Sequence, residues 1–225
     1  GFFSGLADGR AYSGLDFFSA EAQPGFLTAV EENLELLFLI SQNHIETWYD
    51  SGAPDLPFQR YAGGVIERGC VAPLTVIKQD DAIFFLGKDH ILYRLQGNVP
   101  IRVSNHGVER AFQSYGDSID ASCLTYTLRG HKMVHINFPS VPASWCFDIS
   151  TQEWHERESY DASGKSLGRW RGNCACEIYG QVMIGDAFSG NIYFVDPTNY
   201  TEDGNIMPFD LYSAPVHDDK MRVFI

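Results

Sequence analysis

The sequence is short of positive charge. Against 29 Asp and Glu it carries 16 Lys and Arg, a formal net charge of −13. A surface with that balance repels phosphate, which excludes sequence-independent binding of nucleic acid along an open face. Cysteine is also scarce. There are five, an odd number with no CxxC pair, so no zinc site is predicted. Cys174 and Cys176 stand two apart, which puts them on one face of a strand. Buried free thiols in a reducing compartment are the expected state. No apolar run is long: the longest, 34–40, is broken by Glu35 and is too short to cross a bilayer. The start, Gly1-Phe2-Phe3-Ser4-Gly5, has neither a charged leader nor an initiator Met, so a soluble protein that begins partway through a longer product is expected. Asn199-Tyr200-Thr201 matches a glycosylation sequon, with nothing else pointing to secretion.

What the chain has is aromatic content and a repeat. Hydrophobic residues make up 44% and aromatics 14%, enough for a packed core in one large β domain of 225 residues. Four strand-turn-strand units end on aromatic strands and a polar stop: Ile45-Glu46-Thr47-Trp48-Tyr49-Asp50, Ile91-Leu92-Tyr93-Arg94, Trp145-Cys146-Phe147-Asp148 and Ile192-Tyr193-Phe194-Val195-Asp196. Taking Trp48, Tyr93, Phe147 and Phe194 as markers, the spacings are 45, 54 and 47 residues. Spacings of about 40–50 residues in an all-strand chain mark propeller blades. The predicted fold is all-β, a β-propeller-like array of four-stranded antiparallel blades, about five units with one incomplete.

Strands are predicted at 26–30, 34–40, 44–49 and 58–61, with turns at Glu31-Glu32-Asn33 and Gln42-Asn43. A second meander runs 73–78, 82–86, 90–95 and 100–103. A third runs 121–128, 132–138, 144–147 and 154–157. A fourth runs 171–178, 181–185 and 191–195. Between the second and third, a helix is predicted near 106–115. Ser104 or Asn105 caps it, Val108, Ala111, Phe112 and Tyr115 form its apolar stripe, and Gly116 stops it. That insertion accounts for the 54-residue spacing. The domain reading is 1–212 as one propeller and 213–225 as a closing strand or the start of a following segment. In the closing version, 222–225 pairs with the incomplete unit at 1–20.

The search for chemistry returns ordinary strand and turn residues. His131 and His135 stand four apart, but in a strand pattern and without HExxH. Glu153, His155 and Glu158 fall in an alternating run that reads as a solvated strand face with Trp154 turned inward. Asp80-Asp81 and Asp218-Asp219 could be paired carboxylates but sit where turns need Asp. Asn199, Thr201, Asp203, Gly204, Asn205 and Asp210 half-match a calcium loop, with Asn in first place and Asp where Glu belongs. Gly63-Gly64 lacks the pattern of a phosphate cradle. No catalytic, cofactor or metal residue is predicted, and no enzyme activity.

The run His44-Ile45-Glu46-Thr47-Trp48-Tyr49-Asp50-Ser51-Gly52, then Pro57-Phe58-Gln59-Arg60 and Ile66-Glu67-Arg68-Gly69-Cys70-Val71-Ala72-Pro73, resembles one virion family. Val99-Pro100-Ile101-Arg102-Val103-Ser104, Trp154-His155-Glu156-Arg157 and Gly185-Asp186-Ala187-Phe188-Ser189-Gly190-Asn191-Ile192-Tyr193 follow in the same order. The family is that of the tail accessory, or packaged DNA stabilisation, proteins of short-tailed bacteriophages. The resemblance spans roughly residues 5–195. It implies a structural subunit of a tail hub or nozzle, in the virion tail and, during assembly, the host cytoplasm. Its implied partners are the portal and adaptor ring, tail fibres, spike or needle, and further copies of itself in a ring, with no membrane and no cofactor. DNA would pass the assembled channel without tight binding. For Glu67-Arg68-Gly69 and Phe58-Gln59-Arg60 the implied work is turn geometry and packing between blades. Two other readings are a carbohydrate-binding or glycoside-acting propeller using Trp48, Trp145, Trp154 and Trp170, and a cellular propeller acting as a protein-interaction platform.

Overall fold

The computed structural model describes residues 2–5, 8–20, 22–53, 56–212, 216–218 and 221–223. A hairpin of β1 (Phe2–Gly5) and β2 (Asp8–Phe17) comes first. β3 (Leu27–Asn33), β4 (Leu36–Ser41), β5 (Ile45–Asp50) and β6 (Phe58–Ile66) then form an antiparallel blade in chain order. β7 (Ile77–Gln79), β8 (Ala82–Leu86), β9 (Leu92–Gln96) and β10 (Val99–Arg102) form the second. The helix α1 (His106–Ser114) leads into a third, β11 (Ser122–Leu128), β12 (His131–Phe138), β13 (Ala143–Asp148) and β14 (Glu153–Glu156). The fourth has three strands, β15 (Gly172–Ile178), β16 (Gln181–Asp186) and β17 (Ile192–Phe194). Two short hairpins follow, β18 (Thr201–Glu202) with β19 (Asn205–Ile206) and β20 (Val216–Asp218) with β21 (Met221–Val223).

Blade faces follow from strand alternation. In the second blade, Phe84, Leu86 and Leu92 meet Val134, Ile136, Phe138 and Phe147 of the third, with Val108 and Phe112 of α1 in the same core. On its other face, Ile83, Phe85, Tyr93 and Leu95 meet Phe38, Ile40, Ile45 and Ile66 of the first. Being covered on both sides, β8 is buried at every position, which is why Ala82-Ile83-Phe84-Phe85-Leu86 reads as an unbroken apolar run. A smaller core of Leu124, Tyr126, Trp170, Val182 and Ile184 joins the third and fourth blades. Among the described residues no core cluster joins the fourth blade to the first.

The helix is as the sequence predicts. The Asn105 side chain accepts from the N–H groups of Gly107 and Val108, both at 3.0 Å. Val108 and Phe112 face the core with Tyr115 packed beside them.

Three expectations are corrected. The first turn lies at Leu34 and Glu35, both at positive φ (50° and 63°), rather than at Glu31-Glu32-Asn33, because Asn33 pairs with Leu36 across a two-residue hairpin. Leu34 is therefore exposed, outside the buried inner strand expected at 34–40. The fourth strand of the first blade does not stop at 61. It continues through Gly63, whose φ of +75° accompanies a register shift opposite Glu46 and Trp48, and ends at Ile66. The pairing expected between 222–225 and 1–20 is not found among the described residues: Arg222 pairs with His217, and β1 pairs with β2. Gly1, Phe224 and Ile225 lie outside the described residues.

Candidate functional site

The first strands of successive blades lie beside one another, β7 against β11 and β11 against β15. These strands carry hydroxyls, amides and a few charges, and they are stitched across the blades. Lys78 Nζ donates to Glu32 Oε2 at 3.0 Å, joining the second blade to the first. Asn33 Nδ2 donates to the Asp81 carbonyl at 3.0 Å, across the same joint. Gln79 Nε2 donates to Thr127 Oγ1 at 3.3 Å, and Glu177 Oε1 accepts from the Thr127 N–H at 2.5 Å. A polar ladder thus runs across these joints from the first blade to the fourth. It mixes carboxylates with a lysine and neutral groups.

Ionic clamps reinforce the joints. Asp80 receives Arg94 Nη2 from its own blade at 3.0 Å and Lys132 from the third. These bonds, Lys132 first, hold its carboxyl below the usual carboxylate range. Glu109 on α1 is buried and takes Arg102 and the Ser104 hydroxyl, which lower its carboxyl against the opposing effect of burial. In the fourth blade, burial raises the Asp186 carboxyl, but bonds from Arg171 Nε (3.1 Å) and Nη2 (3.0 Å), with Ser189, more than offset it. Arg171 Nη1 also reaches Asp203 at 3.1 Å.

The joint between the third and fourth blades has a different make-up. Tyr126, His135 and Cys146 project from successive strands of one face, Arg157 from just past the end of β14, and Trp170 covers them. The His135 ring is fully buried and stacks on Trp170 at 4.5 Å and on Tyr126 at 5.3 Å. Its Nε2 lies 3.1 Å from the Tyr126 hydroxyl and 3.3 Å from Cys146 Sγ. Arg157 Nη1 donates to the same Tyr126 oxygen at 3.1 Å, and its guanidinium lies over Trp170 at 5.4 Å. The Tyr126 oxygen has two lone pairs; it accepts from Arg157 and shares a hydrogen bond with His135 Nε2. The remaining ring nitrogen, Nδ1, is buried with no partner. Burial, then Arg157 and His155, hold the imidazole well below its ordinary value. Burial pushes the Cys146 thiol up to about 12.

The residues singled out in the sequence are scattered rather than brought together. His131 is half-exposed, with Nδ1 2.7 Å from Asp148 Oδ2, whereas His135 belongs to the blade joint. Four residues of strand separate them by about 13 Å. Glu153 and His155 are exposed, His155 taking Arg157 Nε at 3.1 Å, while Glu158 is held by Tyr160 and Ser166. Trp154 turns inward onto Phe147. Asp80 and Asp81 form a hairpin turn, both at positive φ. Asp218 lies in β20, and Asp219 falls outside the described residues. Of the calcium-like set, Asn199 Oδ1 takes the backbone N–H and hydroxyl of Thr201, and Asp203 is paired with Arg171. Cys174 and Cys176 are exposed, against the expectation of buried thiols, while Cys70 and Cys146 are buried. Each indole N–H is bonded internally: Trp48 to Glu46, Trp145 to Tyr115, Trp154 to Val103 and Trp170 to Glu202.

One buried set escaped the sequence reading. Ser41 Oγ lies 2.8 Å from His44 Nδ1, and His44 Nε2 lies 3.6 Å from Glu46 Oε1. The serine proton goes to the His44 carbonyl, so its oxygen accepts from the ring, the reverse of what activates a nucleophile. Glu46 also accepts from the Ala22 N–H at 2.9 Å, which makes the set a clasp on the segment before β3. Its only sequence trace is the spacing Ser-x-x-His-x-Glu. Gly69, in the matched Glu67-Arg68-Gly69, lies so close to the first blade that a Cβ there would come within 2.3 Å of the Asn43 nitrogen.

Over residues 2–200 the chain matches the phage-stabilisation family model, described as "Bacteriophage P22 Gp10, beta-propeller". No curated protein sequence matches it. Among the described residues no helix is long and apolar enough to cross a membrane.

Proposed function

The chain belongs to the phage-stabilisation family of virion proteins that stabilise packaged DNA, and on that premise we propose that it is a structural subunit of the tail hub or nozzle. The observation that carries the reading is the family match across nearly the whole chain. In this role copies of the protein assemble as a ring below the portal and its adaptor, extend the path of the DNA and dock fibres, spike or needle. Assembly takes place in the host cytoplasm and the product is part of the tail. The chemistry supports a scaffold. The carboxylates and histidines with resolved partners are engaged in clamps between strands and blades, and the net charge of −13 keeps phosphate at a distance.

The test is direct. The isolated chain is expected to bind duplex DNA no more tightly than about 100 μM, the weak end of non-specific binding at physiological salt. Micromolar or tighter affinity with a steep salt dependence would overturn a channel that DNA passes freely. Imaging of the assembled tail, with the chain labelled, is expected to place it between the portal-adaptor region and the distal components.

A further inference from the structure

We propose that the joint between the third and fourth blades is an acid-sensitive hinge: when His135 takes up a second proton, Trp170 lifts off and the fourth blade undocks while the first three stay together. The geometry supplies the reason. Nε2 shares a hydrogen bond with the Tyr126 hydroxyl, whose oxygen also accepts from Arg157, and Nδ1 has no partner. In the cation both ring nitrogens carry protons: Nε2–H points at the hydroxyl and the thiol, and Nδ1–H is buried with nothing to accept it. The added proton also places a positive charge beside the Arg157 guanidinium inside a stack closed by Trp170.

The groups facing His135 offer no compensation. Tyr126 comes from β11, Met133 from its own strand, Cys146 and Asp148 from β13, His155 from β14, and Arg157 from the residue just after it. Of the carboxylates on that face, Asp148 is engaged by His131 and the Ser150 N–H, and Glu153, paired across from it on β14, is exposed. From the fourth-blade side come Trp170 and, bonded to its indole, Glu202; Arg169 and Arg171 flank it, with Arg171 turned to Asp186 and Asp203. The other two joints have hydrocarbon and aromatic cores; the nearby histidines are His44, held in the clasp with Ser41 and Glu46, and His90, half-buried beside Ser118.

The sign follows from linkage. An imidazole kept neutral by its surroundings binds fewer protons docked than undocked, so docking weakens as pH falls below the ordinary histidine value of about 6.5. The limit is about tenfold per pH unit, or about 30-fold between pH 7.5 and pH 5.0. Hydrogen exchange by mass spectrometry, corrected for intrinsic rates, reads this blade by blade. Protection of β15 and β16 is expected to fall by about 30-fold over that interval while β8 and β12 hold theirs. His135→Phe, which keeps the stack without the titrating group, is expected to reduce the change to less than about twofold. Arg157→Met, which removes the neighbouring charge and so raises the docked histidine value, is expected to make the loss smaller. If His135→Phe does not fold, His135→Gln serves the same comparison. Equal loss in all blades, no loss in the fourth, or a full loss that persists in either His135 variant would each overturn the hinge.

Discussion

The second and third blades are joined by hydrocarbon, and the third and fourth by a stack of imidazole, phenol, indole and guanidinium. Both joints use the same strand geometry and both exclude water. In the first, Phe84, Leu86, Leu92, Phe112, Phe138 and Phe147 interlock in a core that is indifferent to pH, with the titrating Asp80–Lys132 clamp outside it. In the second, Val182 and Ile184 supply the aliphatic part, and the rest depends on each polar atom finding its partner. The difference teaches that a propeller-like array need not be uniformly stiff. Burial energy is spread over many atoms in one joint and concentrated in a few bonds in the other, where one misplaced proton or missing partner costs far more.

The largest break in that comparison is expected from Phe112→Ala. Its ring is fully buried against Phe138 (4.9 Å between centroids), Trp145 and Trp154, and its loss should cost about 3–5 kcal/mol of the whole array's stability in urea unfolding. Arg171→Met leaves Asp186 buried without its cation and should cost about 3 kcal/mol, confined to the fourth blade in exchange experiments. Combining it with Asp186→Leu is expected to recover most of the loss. Asn105→Ala removes the cap of α1 and should cost about 1 kcal/mol.

Asp80→Asn is expected to cost less than about 1 kcal/mol, since the clamp with Arg94 and Lys132 is partly exposed. Its pH dependence runs in the carboxylate sense. With its folded pKa depressed, Asp80 contributes in full above the unfolded value of about 3.9, and the contribution is lost as pH falls through the folded value. That separates it from His135, whose penalty begins near pH 6.5. Smallest of all, a thiol reagent under native conditions should label Cys174 and Cys176 quickly and Cys70 and Cys146 slowly, with no change in stability.

Much of this was legible from local pattern. The meanders, the Asn105 cap and the apolar stripe of α1 depend on neighbours in sequence, and they came out where alternation and helical spacing put them. What was hidden depends on neighbours in space. Leu34-Glu35 does not look like a hairpin turn, and only the pairing of Asn33 with Leu36 makes it one. The Asp80 clamp joins residues 52 apart, so Asp80-Asp81 read as a turn and nothing more. Arg157 was read as part of a solvated strand, because nothing in its own run announces that Trp170 will lie beneath it. The two thiols of β15 were expected inside because cysteine usually is, but alternation turned them to the outer face of the last blade.

The tight approach at Gly69 has a consequence for shape. The connector between the first two blades rests directly on the peptide linking Gln42 to Asn43. A methyl group there would meet backbone, with no side chain free to swing away, so the connector or the β4–β5 turn would have to shift. The two blades touch here through a residue that contributes no side chain at all.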